Sequence, residues 1–196
     1  MFHYHKLNDS VAADRFLGQF RKVTHAPLNV LVINFIDILS HARTESRMVR
    51  ELASNEAAYR SITLSWFKHT AIKDLFTYLA SLDYDILITT DHGSIRVDSP
   101  IKVVGDKNVN TNLRYKVGKN MGYNKKEVFE MREPEQYGLP RPNLSSNYIF
   151  AEGNKFFAYP NNYNYYVQYY KGTFQHGGIS MEEMIIPIIT LHSKKH

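Results

Sequence analysis

Leu28-Asn-Val-Leu-Val-Ile-Asn-Phe-Ile36, followed without a break by Asp37-Ile-Leu-Ser-His41-Ala-Arg43-Thr-Glu45, is the stretch on which the fold turns. Its first nine residues form a nearly continuous apolar run, the pattern of a strand buried on both faces. Upstream, Asp9 or Ser10 can cap a helix running to about Val23, with Val11, Phe16, Leu17 and Phe20 on one side and Pro27 ending the approach to the strand. Downstream, a helical region covers Met48 to Phe67. Thr70 then caps an amphipathic helix in which Ile72, Leu75, Phe76 and Leu79 recur at helical spacing. The turn at Asp83-Tyr-Asp85 opens a second apolar strand, Ile86 to Thr90, which ends in Asp91-His92-Gly93. Strand, helix, strand with the helix as crossover is the parallel βαβ unit. The prediction is an α/β fold with a largely parallel central sheet flanked by helices.

From Ser94 to about Gly153 the periodicity weakens. Short strands are predicted at Ile101 to Val104 and at Tyr148 to Ala151, separated by a polar excursion rich in Asn and Lys and carrying Pro134, Pro140 and Pro142. So long an irregular insert reads as a lid or binding loop. Thr173-Phe-Gln-His176-Gly-Gly-Ile-Ser180 precedes a last predicted strand, Met184 to Leu191.

Bulk composition narrows the function. A chain of 196 residues supports one sizeable core. It has no cysteine, which excludes disulfides, thiolate metal sites and cysteine nucleophiles. A net charge of +5 suits an anionic substrate but more often describes a solvated surface, and no basic block forms a nucleic-acid arm. The first residues lack the pattern of a signal peptide, and the run from Val30 to Ile36 is too short to span a bilayer. A cytoplasmic protein with no membrane partner is expected.

Two strands each lead into a carboxylate and a histidine, Asp37 with His41 and Asp91 with His92, and His176 sits in a glycine loop before a third strand. Ligands of open parallel sheets bind beyond the carboxyl ends of the strands, so both pairs are expected on one rim. Taken singly, an Asp after a strand is most often a turn or helix cap, and a lone His a surface residue. Three such elements at strand boundaries shift the balance toward a metal site. Imidazole and carboxylate without sulfur suit zinc, and less diagnostically manganese or iron. Gly93, Gly177 and Gly178 remove side chains beside these donors. His3, His5, His25, His69, His192 and His196 lack that context and read as structural or surface residues.

The strand-end Asp-x-x-x-His, then Thr-Asp-His-Gly, then His-Gly-Gly-x-Ser-x-Glu-Glu-Met resemble the PglZ domain of the alkaline phosphatase superfamily. The stretches Asn34 to Glu45, Ala58 to Phe67, Tyr159 to Tyr166 and Phe174 to Met184 resemble PorX-like response regulators of Bacteroidetes, which join a receiver domain and a helical middle to a PglZ effector. The resemblance implies an alkaline-phosphatase-like fold in which Asp37, His41 and His176 hold one zinc ion and Asp91 and His92 a second. In that superfamily the second ion also takes an upstream aspartate and a threonine or serine nucleophile. Ahead of Asp37 stand only Asp9, Ser10, Asp14 and Thr24, none in a nucleophile setting. The expectation is therefore that residues 1–196 form the C-terminal portion of a PglZ domain, incomplete on its N-terminal side, without receiver domain or nucleophile segment, and inactive alone.

The same resemblance implies a zinc-dependent phosphodiesterase acting on nucleotide, oligonucleotide or cyclic-nucleotide esters, a sigma-factor partner, a homodimer at full length, and a role in type IX secretion and gliding. The competing expectation is a non-catalytic regulatory and dimerisation module. Lys102, Lys107, Asn112, Arg114 and Lys116 are the expected substrate contacts, set against a plain solvated loop. Arg43 and Glu45 are candidates to orient the metal ligands. Ser180 with Glu183 reads as a capping box. The crowded Tyr163, Tyr165, Tyr166, Tyr169 and Tyr170 are expected to pack on the sheet or a partner in preference to stacking nucleobases.

Overall fold

Short apolar runs broken by turn residues divide the polypeptide into many brief elements. The structure, a computed structural model, describes residues 2–8, 10–20, 22, 25–106 and 108–193. Asp9, Val23, Thr24, Lys107 and His196, named above, lie outside the described residues. In chain order the elements are β1 (Phe2–Leu7), α1 (Ser10–Phe20), β2 (Leu28–Ile33), α2 (Phe35–Glu45), α3 (Arg47–Leu52), α4 (Glu56–Lys68), α5 (Ala71–Ala80) and β3 (Asp85–Thr89). There follow β4 (Ile95–Arg96), β5 (Ser99–Lys102), β6 (Tyr115–Gly118), β7 (Val128–Met131), β8 (Asn147–Ala151), β9 (Lys155–Ala158), α6 (Tyr163–Tyr170), β10 (Phe174–Gln175), α7 (Met181–Met184) and β11 (Ile188–His192). They fall into two compact units, Met1–Ile88 with Ile189–His196, and Thr89–Ile188. No helix among the described residues is long and apolar enough to cross a membrane.

In the first unit β1 and β2 run parallel, in register from Phe2↔Leu28 to Leu7↔Ile33, with α1 as their crossover. This is a βαβ unit built one strand earlier than the apolar pattern predicts. The strand β1 escapes the pattern because its polarity is inverted. His3, His5 and Leu7 are its less exposed side, while Phe2, Tyr4 and Lys6 are exposed. The His5 ring packs on Phe16, 4.6 Å between centroids. Desolvation, with a smaller contribution from His3, pushes the His5 imidazole below its ordinary value. Phe16 and Phe20 of α1 and Ile72 and Leu75 of α5 close the core over Leu7, with Leu17, Phe76 and Leu79 at its margin. The helical spacing of α1 and α5 thus reads correctly from the sequence.

Other boundaries shift. The strand β2 ends at Ile33, and Phe35 already begins α2. Thr70 holds the N-cap position of α5 but makes no side-chain cap bond. The strand β3, paired with β11, alternates in exposure, with Leu87 63% exposed, although its sequence reads as a continuous apolar run. Met184 closes the short helix α7, so the last strand begins only after Pro187.

The second unit replaces the predicted irregular insert with a three-stranded antiparallel sheet, β6-β8-β7, in which Ile149 of the central strand faces Lys116 and Glu130. Four-residue strands such as Tyr115-Lys-Val-Gly118 are too short and too polar for their period to show. The strands β5 and β9 pair in parallel from Ser99↔Lys155, and β4 pairs with β10 antiparallel. Ile101, Val103, Val128, Ile149, Ala151 and Phe157 form one core, and Ile95, Val97, Phe156 and Ala158 another. Tyr163, Val167 and Tyr170 of α6 pack on the latter, while Tyr165 and Tyr166 stay exposed.

Candidate functional site

Asp37 and His41 belong to the first unit. They stand on α2, Asp37 in its first turn, and not in a loop at a strand end. Positions four apart on a helix share a face, which is why Asp-x-x-x-His brings Asp37 Oδ1 to 3.7 Å from His41 Nε2. Both side chains are open to solvent, 49% and 70% exposed. The turn that carries Asp37 is anchored by Tyr59 of α4, a residue that no local pattern singles out. Its hydroxyl donates to the Ile36 carbonyl (2.8 Å) and lies 2.6 Å from Ser40 Oγ. Burial raises the Tyr59 phenol above its ordinary value, keeping it a protonated donor. Arg43 is buried and donates to the carbonyls of Ala53 (2.5 Å) and Ser54 (3.3 Å). These bonds join α2 to the chain ahead of α4; they are not made to the Asp37–His41 pair. Glu45 closes α2.

Asp91, His92 and His176 belong to the second unit. Asp91 lies 3.7 Å (Oδ1) from His92 Nε2, and its carboxylate accepts the His92 backbone N–H at 3.1 Å. The His92 Nδ1 sits 2.9 Å from the Gly93 carbonyl. A carbonyl only accepts, so this contact assigns a proton to Nδ1, and in the neutral ring Nε2 is then the nitrogen open to a ligand. Histidine ligands of metals are oriented this way. The ring of His176 stacks on that of His92, 3.8 Å between centroids and 10° from parallel. The loop around His176 is held by Asn112, whose amide donates to the His176 carbonyl (3.3 Å) while its oxygen accepts the backbone N–H groups of Arg114 and Tyr115.

The donors suit zinc in kind and spacing. Two ligands of a tetrahedral zinc, each about 2.0–2.1 Å from the ion, stand about 3.4 Å apart, and both Asp–His pairs come within a few tenths of an ångström of that. Within either unit no three His, Asp or Glu side chains among the described residues gather around one point.

The expected substrate contacts divide. Lys102 is exposed on β5, and Lys107 lies outside the described residues. Asn112 shapes the His176 loop instead of facing solvent. Arg114 and Lys116 are 0% and 1% exposed, inside the unit where solvent-facing cations were expected. Arg114 makes a two-pronged bond to Glu183, Nε to Oε1 at 2.9 Å and Nη2 to Oε2 at 2.8 Å. Lys116 donates to the Asn110 carbonyl (2.8 Å) and lies 4.5 Å from the centre of the Tyr159 ring. Desolvation lowers its ammonium to about 8. Ser180 N–H donates to Glu183 Oε2 at 3.2 Å and the Ser180 side chain accepts the Glu183 N–H, the capping box read from the sequence; Ser180 Oγ also donates to Glu183 Oε2 at 2.8 Å.

Residues 2–191 match the family described as "BREX system PglZ alkaline phosphatase-like domain". The chain belongs to the PglZ family. Its fold is also similar to that of phosphonoacetate hydrolase from Sinorhizobium meliloti 1021, solved in complex with phosphonoformate (TM-score 0.53, 12% identity). That likeness covers 93% of this chain and 50% of the hydrolase chain, so the PglZ domain spans about half the length of that structure. At this identity the likeness speaks for the alkaline-phosphatase-like fold alone. No curated protein matches the PglZ domain.

Proposed function

We propose that this PglZ domain supplies the zinc ligands of a phosphodiesterase effector acting on nucleotide or oligonucleotide esters, within a PorX-like response regulator. Asp37, His41 and His176 would hold one ion, and Asp91 and His92 the second. The observation that carries the reading is the His92–His176 stack, with His92 Nδ1 engaged by the Gly93 carbonyl so that Nε2 is the nitrogen left to ligate in the neutral ring. Two zinc ions, when bound, supply a clamp on the attacking and leaving oxygens of an in-line displacement at phosphorus. The chain's own residues do the positioning. The i, i+4 spacing on α2 presents Asp37 with His41, the Tyr59 hydroxyl fixes the turn that carries Asp37, and Asn112 fixes the His176 loop. Among the described candidates for substrate contact, Lys102 is the cation exposed to an anionic ester.

Metal analysis of the purified chain tests the reading. Bound zinc is expected, and it should be lost in His176→Ala and His92→Ala; a chain without zinc affinity rejects it. Extended by an upstream nucleophile segment, the polypeptide should hydrolyse a chromogenic phosphodiester.

A second reading, a regulatory module that docks a sigma factor or a second copy, draws on the exposed apolar side chains of β1 and β2. Phe2, Tyr4 and Leu28 are 63%, 57% and 56% exposed, and Phe2 and Leu28 are register partners on the β1–β2 ribbon. It prevails if the zinc-loaded full-length protein binds such a partner yet hydrolyses no phosphoester.

A further inference from the structure

Arg114 and Glu183 are an ion pair with side chains 0% and 1% exposed, contributed by residues 69 positions apart. Burying both charges carries a large desolvation cost, and an apolar pair of similar volume would pack as well or better. What an apolar pair cannot do is bond the backbone. Glu183 Oε1 accepts the Gly178 N–H at 2.9 Å, Oε2 accepts from Ser180, and Arg114 Nη1 donates to the Lys155 carbonyl. The Glu183 main-chain carbonyl accepts the Gly93 N–H at 2.8 Å. One residue therefore grips both histidine loops, at the position after His92 and at the second position after His176.

The glycines record how tight this grip is. A Cβ on Gly93 would stand 1.9 Å from the Glu182 carbonyl oxygen. One on Gly178 would stand 2.7 Å from Glu183 Oε2 and 3.0 Å from Arg114 Nε. A Cβ on Gly177, whose φ is +100°, would meet the Asn112 amide at 2.9 Å. At these three positions the space denied to a side chain is filled by the holding residues themselves.

We infer that Arg114 and Glu183 are positioning residues of the metal site: their buried pair holds the His176 loop through Gly178 and Ser180 and fixes the main chain of α7, whose Glu183 carbonyl holds the His92 loop, so that the two imidazoles are stacked before a cation arrives. This rests on the reading of His92 and His176 as zinc ligands, but the stack itself can be observed without metal.

Three variants of the chain, Arg114→Met, Glu183→Gln and the double Arg114→Met/Glu183→Leu, are compared by thermal melting, zinc affinity against a competing chelator, and ring-to-ring NMR contacts between His92 and His176 in metal-free protein. The single variants should lose the ring contacts and bind zinc 10- to 100-fold more weakly, the range for lost supporting bonds around metal ligands. The double variant should recover part of the melting temperature lost in the single variants, because no charge is left unpaired although Gly178 N–H, Ser180 N–H and the Lys155 carbonyl lose these partners, while its zinc affinity and ring contacts stay impaired. Restored stability together with wild-type ring contacts would overturn the proposal, since the pair would then be a packing element only. If wild-type protein binds no zinc, the phosphodiesterase reading fails, and the ring contacts of the double variant still decide whether the pair positions the loops.

Discussion

Replacing Gly93 by alanine isolates the close approach between the His92 loop and α7. The φ angle of Gly93 lies outside the left-handed region, so alanine can adopt its backbone and the steric clash alone is measured. The added methyl would begin 1.9 Å from the Glu182 carbonyl oxygen, against the 3.0 Å below which real Cβ contacts essentially never occur, so the loops must part by about 1 Å. The backbone bond from Gly93 N–H to the Glu183 carbonyl starts at 2.8 Å and does not survive such a shift. Overpacking costs about 1–3 kcal/mol and the lost hydrogen bond about 1 kcal/mol, giving a loss of about 2–4 kcal/mol. Urea denaturation followed by circular dichroism should show the midpoint fall by about 1–2 M, and hydrogen exchange should show the Gly93 amide losing its protection. Gly18→Ala is the control. No atom stands within 4 Å of its new methyl, it lies inside α1, and it should stabilise the chain by about 0.5–1 kcal/mol. A Gly93→Ala chain as stable as wild type, with the Gly93 amide still protected, would refute the packing argument.

Lys116→Met should raise stability at pH 7 by about 1–2 kcal/mol, because a desolvated ammonium is removed while the Asn110 carbonyl keeps the Tyr159 hydroxyl as donor. The folded-state ammonium titrates near 8 against an ordinary 10.5, so its cost is fully present below 8 and relieved as pH rises toward 10.5. The advantage of the variant should shrink over that window in urea titrations. Burial alone would push the Glu183 carboxyl up, but bonds from Arg114, Gly178 and Ser180 bring it net below its ordinary 4.5. Its contribution is present above 4.5 and lost as pH falls through the lowered value, so wild-type stability should drop on acidification in a step that Glu183→Gln lacks. Arg43→Met strips the Ala53 and Ser54 carbonyls of a donor and should cost about 2–3 kcal/mol. The fluorescence of Trp66, the single tryptophan, stacked 4.3 Å from Phe35 of α2, reports it.

Signals carried by near neighbours were legible. The spacing of Ile72, Leu75, Phe76 and Leu79 laid out the buried side of α5, and the capping box at Ser180 formed as read. The Asp-x-x-x-His spacing gave the right pairing of Asp37 with His41, although on a helix face instead of a strand end. The role of the glycines beside the histidines was half legible. Their missing side chains mattered, but the space is taken by Glu182, Asn112, Arg114 and Glu183. The strand β1 was hidden by its inverted polarity, and the sheet β6-β8-β7 by strands too brief for a period to register.

By itself the sequence determined the α/β class, the helical faces, and which carboxylates and imidazoles stand side by side, because each depends on residues within about one turn of one another. The tertiary structure alone decided that Arg114 and Lys116, which look like solvated loop cations, are interior, and that Arg114 meets a carboxylate 69 positions away. The physical reason is that the cost of burying a charge is set by the partner that meets it, and no local pattern names a partner that far along the chain.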